Sequence, residues 1–224
     1  MNWLNKLERK IAKFAIHNLM YYIVMLTGLV FVLSMFFGGD FLSRLYFSPA
    51  LIMQGEIWRI ITFIFIPPSN SIIWIIFALY FYYMIGGTLE QQWGTPKFNL
   101  YYFIGALATV VASLLTGSIG TPMYLNLSLF LAFAHLFPNF QVLLFLIIPV
   151  KMKYLAYLNW FFFAYTIVTG TMSQRVAAIV ALANFFLFFY GDFTRFLKRT
   201  TSTKNTKTNY NRQIREFKRK KIEI

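Results

Sequence analysis

Six apolar runs separated by short polar segments organise this chain. The first, Asn18 to Gly38, is long enough to cross a bilayer, for which a helix needs about 20 apolar residues. It continues through Met35, Phe36 and Phe37 without a small-residue cleavage site, so it predicts a retained helix rather than a secretory signal. Further runs over Ser71 to Gly87, Phe98 to Leu115, Met123 to Phe137, Leu155 to Thr169 and Val176 to Tyr190 bring the expected spans to six, four of them short. The fold class expected is all-α, a polytopic six-helix membrane bundle. Ahead of the first span, Leu4, Leu7, Ile11 and Phe14 recur at spacings of three and four among Lys6, Arg9, Lys10 and Lys13. That spacing fits an amphipathic helix on the inner leaflet over residues 1–17, and a solvated basic flank fits it equally well. The membrane domain is expected over 18–196 and a basic tail over 197–224. Within the tail, Thr200 to Asn211 lacks apolar periodicity and reads as a tether. The closing RQIREFKRKKIEI reads either as a solvated end or as a basic helix for anionic lipid or an acidic partner.

Composition agrees with the pattern. Of 224 residues 58% are apolar and 12% charged, against about 25% charged in an ordinary soluble domain; too little polar surface remains to cover the chain in water. A net charge of +14 would suggest nucleic acid in a soluble protein, but in a membrane protein the basic residues have to be assigned loop by loop. With the N-terminus inside, eighteen Lys and Arg fall on the cytoplasmic side, and only Arg44, Arg59 and Arg175 fall outside. That asymmetry predicts both termini in the cytoplasm and no specific nucleic-acid partner. The absence of cysteine excludes a disulfide framework, a cysteine nucleophile and a thiolate metal site, and two histidines, His17 and His135, offer no metal cluster. No metal or other cofactor is expected. Abundant Lys, Asn, Ile and Phe with compact loops point to a bacterial plasma membrane.

The most informative stretch begins after the first span with SPALIMQGE and then Trp58-Arg59, just before the run ITFIFIPPSNSIIW. At a membrane boundary an indole settles at the headgroup level, and a guanidinium can hold backbone carbonyls or lipid phosphates. The second span closes on Gly86-Gly87-Thr88-Leu89-Glu90, followed by Gly94 and by Lys97-Phe98. Together these residues resemble the rhomboid superfamily, in which a Trp-Arg pair precedes the second span and a G-G-x-x-E-x-x-x-G-x-x-(basic)-F pattern ends it. Leu131 to Trp160, with Phe137-Pro138 and then Pro149-Val150-Lys151, is similar to the family's passage from fourth to fifth span. The resemblance runs from about Phe47 to Tyr190 and implies a six-helix bundle around a short, buried central helix at Met123 to Phe137. For Glu90 it implies a structural hydrogen-bond acceptor tying loop to helix; read alone, the residue is also compatible with a helix-end carboxylate in water.

Rhomboid proteases place a serine in a G-x-S-G turn at the start of the fourth span and a histidine in the sixth, the histidine acting as general base and nearby donors holding the oxyanion. This chain has no G-x-S-G and no histidine after His135. Matching the registers puts Met123 at the serine position, Ala181 at the base and Trp74 and Ala78 at the oxyanion donors. Ser128 and His135 are seven residues apart on one helix, about 10 Å along its axis, too far for proton exchange. The resemblance therefore implies an inactive, distantly derlin-like pseudoprotease that binds transmembrane clients in quality control, trafficking or insertion. Clients would enter between the second and fifth spans, in a bilayer thinned by short helices, with Asn126, Ser128, His135, Asn159 and Asn184 as candidate polar contacts. The same polar residues fit buried helix contacts equally well. Rival readings are a rhomboid-family protease with non-standard catalytic residues, a ribosome-docking insertase using the basic tail, and a transporter. The transporter would usually carry more intramembrane ionisable groups than Glu90 and His135.

Overall fold

The computed structural model describes residues 9–144 and 148–190. Six main helices follow in order among these residues: α1 (Leu19–Phe37), α2 (Ile72–Trp93), α3 (Thr95–Thr116), α4 (Met123–Leu136), α5 (Met152–Thr169) and α6 (Met172–Tyr190). Helix is the economical solution for such runs, because it satisfies each backbone N–H and C=O within its own segment. α1, α2, α3 and α6 are long and apolar enough to cross a membrane, and the chain is an integral membrane protein. α4, with 14 residues, is shorter, and α5, where Lys153, Asn159 and several tyrosines dilute the apolar run, is not among the four. Among the described residues, length and composition thus mark four helices as candidate crossings; the sequence pattern predicted six spans.

α2 and α3 are longer than the apolar runs that predicted them. α2 and α3 each run for 22 residues, because Thr88, Gln91 and Gln92 continue the helix beyond the apolar run, and helix propensity does not require apolarity. Only Gly94 separates the two. Its φ of 83° belongs to the region that favours glycine, and its N–H closes α2 on the Glu90 carbonyl at 2.8 Å. Pro96 then opens α3 at a first-turn position where its missing N–H costs nothing.

α2 packs against α1, α3 and α4, and α4 packs in turn against α3 and α5. α1 and α2 run antiparallel and close together, with Gly86 lying under the Met20 side chain. α4 is buried along most of its length. Residues up to Phe185 form one compact unit, and the last turn of α6, from Phe186, belongs to a second.

The fold is not wholly helical. After α4, β1 (Gln141–Leu144) and β2 (Ile148–Lys151) pair antiparallel, with Gln141 opposite Lys151 and Val142 opposite Val150. Branched residues on both arms, after the turn-forming Pro138-Asn139, are the strand signal here. Met152 and Lys153 donate their N–H groups to Phe140 at 2.8 Å and Pro138 at 3.1 Å. Lys151 and Lys153 therefore stand at the C-terminal end of α4, away from Met123.

In the segment ahead of α1, residues 1–8 lie outside the described ones. Helix is described only to Ile11, residues 12–14 form a turn, and Phe14 is 83% exposed. Asn99 of α3 explains the break: its side chain accepts the Ile16 N–H at 2.9 Å and donates to the Ile16 carbonyl at 3.0 Å, drawing those backbone groups out of any helical ladder. Leu4, Leu7 and the tail over 197–224 lie outside the described residues.

Candidate functional site

Between α1 and α2 the chain forms the short helices Gly39–Ser43, Pro49–Met53 and Arg59–Thr62, a 3-10 turn at Phe63–Phe65, and a loop held by the Trp-Arg pair. Trp58 donates its indole N–H to the Arg44 carbonyl at 3.3 Å. Arg59 is only 3% exposed; Nη1 donates to the carbonyls of Ser43 at 2.7 Å and Tyr46 at 2.8 Å, while Nε meets Glu56 Oε2 at 2.6 Å. Of the two uses the sequence allowed for the guanidinium, it serves the backbone carbonyls. Thr62 adds a hydroxyl bond to the Leu45 carbonyl at 3.0 Å. Phe47, the residue after Tyr46, bridges to Gly120, whose N–H donates to the Phe47 carbonyl at 3.0 Å. One buried arginine thus fixes Tyr46, and through Phe47 the loop is joined to the segment that starts α4.

A second polar knot closes the opposite end of α2. Glu90 is 6% exposed, and its Oε1 accepts the Asn18 N–H at 2.9 Å and the Thr95 hydroxyl at 2.8 Å. His17 Nδ1 lies 3.4 Å from the same oxygen. Glu90 is thus a buried acceptor joining the entrance of α1 to the α2–α3 turn, with Gly94 in that turn and Phe98 buried one helical turn into α3.

The rim encloses a cavity of about 930 Å³. α2 contributes Trp74, Ala78 and Tyr82, α4 contributes Met123 and Asn126, and α5 contributes Leu158 and Asn159; Tyr46, Pro67 and Thr121 come from the loops. α2 and α5 both pack on α4, without extensive packing on each other, which leaves the space between them. Most of the lining is apolar, as in typical ligand sites. Two amides break it. Asn159 Nδ2 donates to the Leu127 carbonyl at 3.0 Å, whereas its Oδ1, like Asn126 Oδ1, is buried and meets no donor among the described residues. No His, Lys, Arg, Asp or Glu is among the lining residues.

Residues 54–124 match the family model of the Rhomboid domain. The match supports the rhomboid superfamily for this chain. It spans Trp58, Arg59, Gly86, Gly87, Glu90, Gly94 and Phe98 and ends just beyond Met123, so the part of the resemblance read over α5 and α6 lies outside it. No curated protein matches the chain.

The four positions that the sequence reading matched to rhomboid catalytic groups separate. Met123, Trp74 and Ala78 share the cavity wall, while Ala181 is buried in α6 apart from that lining. The polar candidates separate too. Asn126 and Asn159 line the cavity; Ser128, Asn184 and His135 do not. Ser128 is fully buried, its Oγ 2.6 Å from the Tyr101 hydroxyl, which also donates to the Ser128 carbonyl at 3.0 Å. Asn184 donates to the Tyr101 carbonyl at 3.3 Å. His135 is exposed, edge-on to the Phe185 ring. Sequence reasoning missed Tyr101, Asn99, Tyr46 and Tyr82. Tyr101 carried a signal, since a tyrosine deep within an apolar span needs a partner for its hydroxyl.

Proposed function

We propose that this rhomboid-like membrane protein is a pseudoprotease that binds transmembrane client segments in the α2–α4–α5 cavity. The observation that carries the reading is the cavity itself: three of the four positions matched to rhomboid catalytic groups line it, as Met123, Trp74 and Ala78. A serine mechanism needs a proton acceptor beside the nucleophile. The hydroxyls of Ser69 and Thr121 lie in a wall without an ionisable side chain other than tyrosine, and Ser69 Oγ accepts the Ser71 N–H at 3.1 Å. The two buried carbonyl oxygens of Asn126 and Asn159 suit a client that brings a hydrogen-bond donor into the membrane, where such groups pair at about 1 kcal/mol each. The gap between α2 and α5 supplies a lateral entrance. α4 is about 21 Å long, against a hydrocarbon core of about 30 Å, which favours local thinning at this helix. The setting proposed is a bacterial plasma membrane, with six crossings and both termini cytoplasmic. Quality control, trafficking and insertion are the processes such binding would serve.

The test is site-specific photocrosslinking in native membranes. A probe at Leu158 should capture membrane-embedded clients, a probe at the exposed Leu107 of α3 should not, and Arg59→Ala should reduce the capture several-fold. Equal capture at both positions, or capture indifferent to Arg59, removes the proposal. Failure of a fluorophosphonate to label the purified protein, while an active rhomboid is labelled as positive control, decides against the rival protease; labelling that is lost in Ser128→Ala or Ser69→Ala would reinstate it.

A further inference from the structure

A second, smaller cavity of about 250 Å³ opens at the other end of α2, between the entrance of α1 and the α2–α3 turn. His17, Tyr21, Tyr83, Gly87, Glu90 and Gln91 are among its lining residues. The Glu90 carboxylate is used unevenly. Oε1 has the Asn18, Thr95 and His17 partners, whereas Oε2 is buried and meets no donor among the described residues. A buried carboxylate oxygen without a donor is costly, and a cavity beside it gives a donor somewhere to sit. Gly87, nearly one turn before Glu90, leaves that wall open: a Cβ there would meet nothing within 4 Å.

We propose that this cavity binds a membrane lipid through a primary ammonium headgroup, which donates to Glu90 Oε2. The proposal is independent of the client-binding reading. An ammonium carries three N–H donors and a positive charge, the complement of a buried carboxylate oxygen. Tyr21 and Tyr83, with ring centroids 6.4 Å apart, frame the mouth; aromatic rings favour the headgroup level and attract cations. The lipid, rather than a soluble amine, is indicated by what continues from that mouth. Met25 and Val32 follow Tyr21 on α1, and Tyr80 and Ile76 precede Tyr83 on α2, at spacings that keep each set on one helical face. All four are exposed, forming two apolar stripes that lead from the cavity into the bilayer and can receive acyl chains.

The full-length protein in detergent is relipidated with equal amounts of phosphatidylethanolamine, phosphatidylcholine and phosphatidylglycerol, washed, and its retained lipid quantified by mass spectrometry. Phosphatidylethanolamine should be enriched at least fivefold over phosphatidylcholine, whose trimethylated nitrogen has no N–H. Gly87→Leu, which fills the open wall, and Glu90→Gln should each bring the ratio to about one, while Leu107→Ala leaves it unchanged. Gly87→Leu spares the bonds to Glu90 Oε1 and carries the test if Glu90→Gln does not fold. Parity in the wild type, or enrichment that survives Gly87→Leu, overturns the proposal. Displacement of the lipid by equimolar glycerophosphoethanolamine or by a lysine-containing peptide would make the ligand a free ammonium and overturn its lipid source.

Discussion

Arg59 shows how much of the structure can depend on one side chain. Its guanidinium spans a carboxylate and two carbonyls from a loop that has no regular ladder of its own. Charge-assisted hydrogen bonds are each worth about 1.5–3 kcal/mol, but Glu56 is about a third exposed, which weakens that part of the pair. Arg59→Ala should therefore lower stability by about 2–3 kcal/mol, seen as a lower Tm in detergent. Arg59→Lys should recover only part of it, because a point ammonium cannot reproduce the fork. At the α3–α4 contact, Tyr101→Phe leaves the Ser128 hydroxyl without its partner in a fully buried position. Its cost should be about 1–2 kcal/mol. The double variant Tyr101→Phe with Ser128→Ala should cost less than the sum of the singles, and strict additivity in thermal denaturation would refute direct coupling.

At the scale of the element, close helix approach depends on glycine. A Cβ on Gly105 of α3 would lie 2.5 Å from Leu125 Cδ1 of α4 and 2.8 Å from Asn184 Nδ2 of α6. Small residues permit such approach in membrane helices, where packing rather than hydrophobic exclusion drives association. Gly105→Val should overpack the junction and cost about 1–3 kcal/mol, with the Asn184 bond to Tyr101 lost first. Normal stability of this variant would mean that α3, α4 and α6 separate more readily than their spacing implies. Helix positions were legible from the apolar runs, but their ends were not. α2 continues beyond its run because nothing at Thr88 to Gln92 opposes helix, and it stops where Gly94 turns. The hairpin after α4 escaped notice because a short apolar run suits strand and span alike.

At the scale of the whole molecule, the sequence itself supplies the tool that tests the proposed orientation. With no native cysteine, any introduced one is unique. An impermeant maleimide applied to intact cells or spheroplasts should label Asp40→Cys and leave Lys153→Cys unlabelled until the membrane is permeabilised. The reverse pattern would invert the proposed topology. Both positions lie in the first turn of a helix, Asp40 in Gly39–Ser43 and Lys153 in α5, and neither side chain is buried, so the variants should fold. The same pair tests the crossing number, since four long helices and two marginal ones leave α4 and α5 free to be crossings or re-entrant segments.

Membrane class, the helical character of the apolar runs and the Trp-Arg and Gly-Gly-Glu motifs follow from the sequence alone, because hydropathy, helix period and turn chemistry act over a few residues. Which polar groups share a site was left to the tertiary structure. Asn126 and Ser128 are two positions apart in one apolar helix, and at about 100° per residue they point to nearly opposite sides. Asn126 meets the cavity and Ser128 meets Tyr101. Periodicity without a strong polar face does not reveal which side of α4 faces α3. That rotation is decided by Gly105, Tyr101 and Asn159 on neighbouring helices, and the partners of Arg59 and Glu90 are likewise chosen by chain segments up to 72 residues away.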